Sequence, residues 1–306
     1  MRTSKNARLL LASTAVAVLA VTVAACGGDD DGDGGGGGGT DTVSLLMNWF
    51  PQAEHGGYYD AQENELGADE GVQIQVEPGG PQIQTIAQVA AGEADYGVAQ
   101  ADELILARAE GVPVTEVFAA FDTFPQCMMF QPAAGIESFE DLEGHQVAIA
   151  PSGGFWPWIR GEFDLQDVQE VNFTGTLSEL KRNDDLAQQC FITSEPYFAD
   201  QENIPHEELL VADAGYNPYA NGIFTTDQKI QEDPEEVAAV VAAVQQGWEN
   251  FVSDPEAAKQ AILDANKDME AELVDFAHGI ISDRLVGDEI GAMNEERWST
   301  LADQLR

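Results

Sequence analysis

Along residues 43–212, short apolar and β-branched runs alternate with stretches of helical spacing. The strand candidates are "VSLLM" (43–47), "VQIQVE" (72–77), "YGVAQ" (96–100), "VTEVFAAF" (114–121), "QVAIA" (146–150), "VQEVNF" (168–173), "QCFIT" (189–193) and "ELLVA" (208–212). Helices are predicted between them at 82–91, 101–110, 138–142, 155–163, 176–182 and 195–202. Alternation of this kind predicts α/β units around mostly parallel sheets. From Pro234 only the helical period remains. "PEEVAAVVAAVQQGWENFV" opens on a proline and sets Val, Ala and Trp at helical spacing, and "PEAAKQAILDA", "MEAELVDFAHGII" and "EERWSTLADQL" follow as further helices.

This order predicts an α/β fold of two lobes joined by two crossover strands, with a helical C-terminal tail. The chain is expected to leave lobe one near "CMMFQ", build lobe two over 129–214 and return near "DAGYNPYANGIFTT", so that 42–128 and 215–306 form lobe one. The 306 residues are enough for two such units with cores of their own. Lobes tied in this way close over a small molecule at their interface.

The charge balance narrows the partners. The chain holds 55 acidic residues and 13 basic ones, and three of the basic ones, Arg2, Lys5 and Arg8, precede any acid. Removing that leader leaves 10 basic against 55 acidic residues, a net charge of −45 instead of −42. A surface this negative repels phosphate backbones and anionic headgroups, which excludes nucleic acid as a partner. The acids are spread along the chain and 44% of the residues are hydrophobic, so the sequence is not of the disordered type. Two readings of the acidity stand side by side: an acidic soluble surface, and adaptation to high salt.

At the N-terminus a basic segment, "MRTSKNAR", precedes the apolar "LLLASTAVAVLAVTVAAC", which ends in small residues before Cys26. The apolar stretch is Ala-rich and slightly short of the roughly 20 residues a membrane span needs. "V-A-A-C-G" reads as a bacterial lipobox, with 1–25 a signal peptide and Cys26 the acylated first residue of the mature chain. Residues 26–41, mostly Gly and Asp, then form a flexible tether. Together these place the body outside the cytoplasmic membrane, held to the bilayer through Cys26. Such a compartment permits a disulfide between Cys127 and Cys190, although nothing in their spacing brings them together, and two buried free thiols are the expectation.

Candidate chemistry clusters where strands end. In "NWFPQAEHGGYY" (48–59), directly after "VSLLM", Trp49 offers a flat face to a heteroaromatic ring. Tyr58 and Tyr59 offer a second face or a hydroxyl, and Asn48 and His55 can each donate or accept. Gly56 and Gly57 let the backbone approach closely. Taken singly, these also fit core aromatics and a loop histidine; polar groups interleaved with aromatics are what point to a site. "EPGGPQ" (77–82), with Gly79 and Gly80, and "APSGGFWPW" (150–158), with Ser152, Gly153 and Gly154, are Gly-rich helix starts. Each suits either a polar ligand group or a plain tight turn. Glu195 in "SEPYFA", beside Tyr197, can accept two parallel hydrogen bonds from a ring amine and a ring N–H, or balance a helix N-terminus. Asp102 in "QADE" can line the cleft or cap a helix, and Tyr219 in the return segment completes the candidate set.

In the order in which they occur, "NWFPQAEHGGYYDA", "GVQIQVEPGGP", "VAAGEADYGVAQADELILARAEGVPV", "GIESFEDLEGHQVAIA" and "SEPYFA" resemble the solute-binding proteins of ABC importers in the thiamine-pyrimidine-precursor and sulfonate/nitrate/taurine group. The resemblance covers nearly all of 42–255. It implies a type II periplasmic-binding-protein fold, a monomer, no cofactor, and a small-molecule ligand passed to a permease with its ATPase. The Trp-x-Pro-x-x-x-His opening (Trp49, Pro51, His55) is more similar to the branch that takes aminopyrimidine precursors than to the alkylsulfonate branch. Sulfonate, nitrate, taurine or riboflavin is the alternative ligand. Pyrimidine-precursor synthases resemble this group too, but they carry a cysteine-rich motif, and this chain has only three scattered cysteines. Its four histidines lack metal-ligand spacing, and no G-x-S-x-G elbow or phosphate loop occurs, so the residues predict binding without reaction and without metal.

The anchor gives a direct test. Mature wild-type protein is expected to begin at Cys26 with a diacylglycerol mass, and Cys26→Ala to accumulate as unlipidated precursor; intact mass spectrometry showing another N-terminus would overturn the lipobox.

Overall fold

The computed structural model describes residues 40–150 and 154–306. The signal segment, Cys26 and most of the tether lie outside the described residues, as do Ser152 and Gly153.

Hydrophobic period translates into position within a sheet. β1 (Asp41–Leu46) leads through α1 (Gly56–Glu63) to β2 (Val72–Glu77) and pairs with it in parallel. In β2, Val72, Ile74 and Val76 are buried while Gln73 and Gln75 face solvent, a one-sided pattern that suits its place at a sheet edge. α2 (Thr85–Ala90) leads to β3 (Tyr96–Ala99), buried throughout and central. α3 (Ala101–Ala109) and β4 (Val114–Phe118) follow. The second half holds β5 (Gln126–Phe130), β6 (Gln146–Ile149), α4 (Phe155–Glu162), β7 (Gln169–Asn172), β8 (Leu186–Phe191), α5 (Glu195–Gln201) and β9 (Glu207–Leu210). β10 (Gly222–Thr226) returns the chain to the first sheet. α6 (Asp227–Glu232), α7 (Pro234–Ser253), α8 (Glu256–Ala265), α9 (Ala271–Ile280), a π-type turn at Ile281–Leu285 and α10 (Glu295–Gln304) complete it. Among the described residues no helix is long and apolar enough to cross a membrane.

The strands form two five-stranded sheets, ordered β2-β1-β3-β10-β4 and β7-β6-β8-β5-β9. In each, the strand delivered by a crossover runs antiparallel: β10 between β3 and β4, β5 between β8 and β9. The crossovers, residues 119–125 and 211–221, lie side by side, joined by Phe121 N to Ala220 O at 3.0 Å and Ala220 N to Phe121 O at 3.3 Å. Neither crossover-borne strand was among the expected ones; both fall in segments marked only as lobe changes. The second sheet therefore starts at Gln126, a little before the expected boundary at 129.

Two further expectations need correction. Residues 176–182 are a run of turns: only Leu177 and Leu180 are buried, too little apolar surface for seven residues to offset helix nucleation. The cysteines are not free. Cys127 of β5 stands directly opposite Cys190 of β8, their Cα atoms 4.9 Å apart, and the two form a disulfide. Strand register brings them together across 63 positions of sequence, which spacing alone could not reveal.

The helical tail is structural support for the first lobe. α7 lies against α1 so closely that a Cβ on Gly57 would stand 2.3 Å from Trp248, and one on Gly56 2.4 Å from Phe251. The two glycines thus serve helix–helix contact, not approach of backbone to a ligand. Trp248 is fully buried, and its ring meets the edges or faces of Tyr58, Phe121 and Phe251 at centroid distances of 5.4, 5.4 and 5.7 Å. It joins α1, the first crossover and α7 at one point. Trp248→Ala is expected to cost about 3–5 kcal/mol in urea unfolding, and Trp248→Phe appreciably less; equal losses would mean that ring size is irrelevant there.

Candidate ligand-binding cleft

Between the sheets lies a cleft of two adjoining compartments, of about 540 and 450 Å³. Asn48, Trp49, Gln100, Ala150, Gln189 and Phe191 line both. The wall forms where β1, β3, β6 and β8 end and β5 begins, the carboxyl-edge position at which open α/β sheets receive ligands.

Asn48 and Trp49 follow β1. Trp49 is 43% exposed, its neighbour Phe50 48%, and their rings meet edge to face at 5.6 Å. The Asn48 Oδ1 lies 3.0 Å from His55 Nε2, which leaves its amide nitrogen for the cleft. His55 itself is buried, and burial lowers its pKa to about 3, so the imidazole is neutral and donates through Nε2. It supports Asn48 and does not reach the cleft wall. Tyr58 is likewise a core residue: its hydroxyl donates to Asn221 O, and its ring packs on Trp248. Asn221 does line the cleft, with its amide donating to Glu54 O at 2.8 Å and its N–H to Gln100 Oε1 at 3.0 Å. Tyr59 is buried away from both compartments.

The "PGGP" turn splits in the same way. Gly79 sits where a Cβ would fall 2.0 Å from Met47 O, so it allows the turn to lie on β1's end, while Gly80 lines the cleft beside Phe50. α2 does not begin until Thr85 and spans six residues, so there is no free helix start at the turn. Asp102 lines the larger compartment; its carboxyl accepts from Tyr216 Oη at 2.7 Å and from Glu103 N at 3.0 Å. The capping role foreseen for it falls to Glu103, which accepts from Gln100 N at 3.0 Å. Gly154 faces Asp102 across the cleft.

In the smaller compartment Glu195 accepts from Phe191 N at 2.8 Å and Ser194 Oγ at 2.5 Å, both on Oε2. Glu54 stands in the same wall, took no part in the sequence-based set, and accepts from Thr193 Oγ1 of the other lobe. Burial raises the pKa of Asp102, Glu195 and Glu54, and for Glu54 the nearby Glu195 carboxyl adds to the rise. Tyr197 and Tyr219 lie elsewhere. The Tyr197 hydroxyl donates to Glu270 Oε2 at 3.0 Å, pinning α5 to the helical tail; the Tyr219 hydroxyl accepts from Asn294 N at 3.0 Å, and its ring lies 3.8 Å beneath the Arg297 guanidinium. The rest of the wall mixes amides and aromatics, among them Gln52, Gln84, Gln126, Phe124, Phe155 and Phe173, with aliphatic side chains such as Ile83, Ile86 and Leu106, and with Cys190 at the smaller compartment. Among the described residues, no Lys, Arg or His lines either compartment.

The profile of the NMT1/THI5-like family matches residues 52–258. The chain belongs to this family. Its sequence is 25% identical over 227 residues to the riboflavin-binding protein RibY of Chloroflexus aurantiacus, covering 71% of this chain and 64% of that protein, just under two thirds of the relative's length. It is 22% identical over 280 residues to the formylaminopyrimidine-binding protein of Halalkalibacterium halodurans, covering 87% and 84%. Among solved structures, the periplasmic aliphatic sulphonate-binding protein SsuA from Escherichia coli aligns with a TM-score of 0.66 at 15% identity, over 86% of this chain and 85% of that one. The fold of this NMT1/THI5-like chain is thus the type II periplasmic-binding-protein fold.

The buried imidazole makes a pH signature. An unfolded His55 takes up a proton near its ordinary pKa of 6.5, whereas the folded one refuses it until about 3. The stability tied to its burial is therefore present above pH 6.5 and lost as the pH falls through that window, by about 1.4 kcal/mol per unit. The stability gap between wild type and His55→Gln, from urea melts at pH 7, 5.5 and 4.5, is expected to shift against the wild type with that slope. A pH-independent gap would mean that His55 is protonated in place.

Proposed function

We propose that this protein is the extracytoplasmic solute-binding subunit of an ABC-type importer and takes a flat, nitrogen-containing heterocycle of the aminopyrimidine class between its lobes. One observation carries the reading: an exposed tryptophan at the cleft wall, with neutral amides and protonatable carboxyls around it and, among the described residues, no cationic side chain. A sulfonate or nitrate entering such a wall would give up its hydration without a counter-charge, at a cost of several kcal/mol. A heterocycle that donates through ring N–H and amine groups meets acceptors at Glu195, Glu54 and Asp102, a donor at Asn48 and a stacking face at Trp49. Relatives named as binding proteins support a binding role; against the pyrimidine phosphate synthases that the chain also resembles, at 21–31% identity, stands the disulfide that holds both cysteines of the body and keeps them from ligating metal as thiolates. A larger flavin-like ring is the second reading, favoured by the two adjoining compartments. Cys26 would hold the receptor near the permease, at a distance on the order of 5–6 Å times the square root of the tether length.

An aminopyrimidine is expected to quench tryptophan fluorescence on binding. Trp49→Ala should weaken its affinity by roughly 1–3 kcal/mol, the scale of a lost stacking and burial contact. Glu195→Gln should weaken it too, by turning an acceptor into a donor that opposes the ring amine. Titrations with riboflavin and taurine complete the set. Tight taurine binding that is indifferent to Trp49→Ala would sink the proposal, and riboflavin binding tighter than any aminopyrimidine would select the second reading.

A further inference from the structure

β5 and β8 are neighbours at the heart of the second sheet, and their ends form much of its share of the cleft. Gln126 opposes Phe191, and both line the wall; one position further in, Cys127 opposes Cys190 and the two are bonded. Side chains alternate along a strand, so the disulfide side chains lie on the sheet face opposite those of Gln126 and Phe191, while Cys190 itself borders the smaller compartment. Both cysteines are buried. The wall hangs on the same two strand ends through short contacts: Gln126 Nε2 donates to Cys190 O at 2.9 Å, Ala150 N to Gln189 Oε1 at 2.6 Å, Phe191 N to Glu195 Oε2 at 2.8 Å.

β5 is also where the first crossover, 119–125, enters the second sheet. Any rotation of one lobe against the other twists that segment, and its first paired residue downstream is Gln126. Strand ends open locally at low cost. Without a bond at Cys127, the twist would be absorbed by unzipping β5 from β8 at the point where the wall residues sit. With it, fraying stops at the pair next to Gln126 and Phe191, at the edge of the cleft.

We propose that the Cys127–Cys190 disulfide is a positioning element of the binding site: it holds the cleft ends of β5 and β8 in register so that Gln126, Gln189 and Phe191 present one rigid wall to the ligand. The proposal rests on the cleft being the ligand site. Its effect on affinity runs through those three side chains and is separate from the stability that any long cross-link confers.

The test compares the full mature wild type with Cys127→Val/Cys190→Val and Cys127→Ala/Cys190→Ala, by calorimetric titration with formylaminopyrimidine well below the melting temperature. Backbone hydrogen exchange is followed in parallel. Affinity is expected to fall at least tenfold in both pairs, and exchange to quicken at Gln126, Phe191 and Ile192 while β1 and β6 keep their protection. Gln126→Ala should weaken binding in the wild type and add little once the disulfide is gone. Should both pairs fail to fold, wild type reduced under native conditions, its free thiols counted by alkylation and mass, supplies the same readouts. Affinity within twofold of wild type, or exchange quickening evenly over the second sheet, would overturn the proposal and leave the bond a matter of stability alone. A wild type that does not bind the pyrimidine counts against the ligand assignment instead, and the exchange pattern then decides the positioning role.

Discussion

One guanidinium ties the two halves of this molecule together. Arg297 of α10 donates through Nη1 to Asp122 Oδ1 at 2.6 Å in the first crossover and through Nε to Asn217 O at 2.8 Å in the second, while its plane covers the ring of Tyr219 at 3.8 Å. Asn217 adds a direct link, accepting from Phe124 N at 2.8 Å and donating to Asp122 O at 3.2 Å. A planar, permanently charged fork suits this double duty, and a lysine, with one point charge, would reach only one partner well. In a chain with 13 basic residues, placing one of them here has weight. Each sheet takes in a strand that a crossover delivers, so the brace joins the two segments through which the sheets are connected.

The cleft inherits its chemistry from what surrounds that brace. Among the described residues, no basic side chain within the wall holds the buried carboxyls facing it ionised, and desolvation pushes each toward the protonated form. A folded carboxyl with a raised pKa contributes stability that is present at low pH and lost as pH rises through its folded value, so Asp102, Glu54 and Glu195 pull against His55, whose contribution is lost on the acid side.

Much of the fold could be read from local pattern and the site only in part. Strand and helix periods are short-range properties, and they located most of the elements in both lobes. β5 and β10 escaped because "QCMMF" and "GIFTT" are apolar runs whose strand partners lie far away in the chain, β10 pairing with β3 and β4 and β5 with β8 and β9. The disulfide escaped for the same reason, since register and not spacing sets it. In the site, Asn48, Trp49, Asp102 and Glu195 reach the cleft wall, whereas Tyr58, Tyr59, Tyr197 and Tyr219 are held in cores by partners such as Trp248, Glu270 and Arg297, all distant in sequence. A tyrosine's composition cannot say which of its two natures is used; the packing behind it does. The glutamines of the wall carried no signal at all, because an amide at a strand end is equally at home in solvent.

The opening motif, "NWFPQAEHGGYY", shows how such roles can be stacked in twelve residues. Asn48 and Trp49 face the cleft. His55 and Tyr58, one layer back, spend their polar atoms on residues that do: His55 on Asn48, Tyr58 on the carbonyl of Asn221. Gly56 and Gly57 lie in the next layer, against Phe251 and Trp248. α1 starts at Gly56, so the two glycines that meet α7 are flanked directly in sequence by His55 and Tyr58. A residue can therefore belong to this motif without lining the cleft. In this chain His55 holds the side-chain amide of Asn48, and Tyr58 holds the main-chain carbonyl of Asn221.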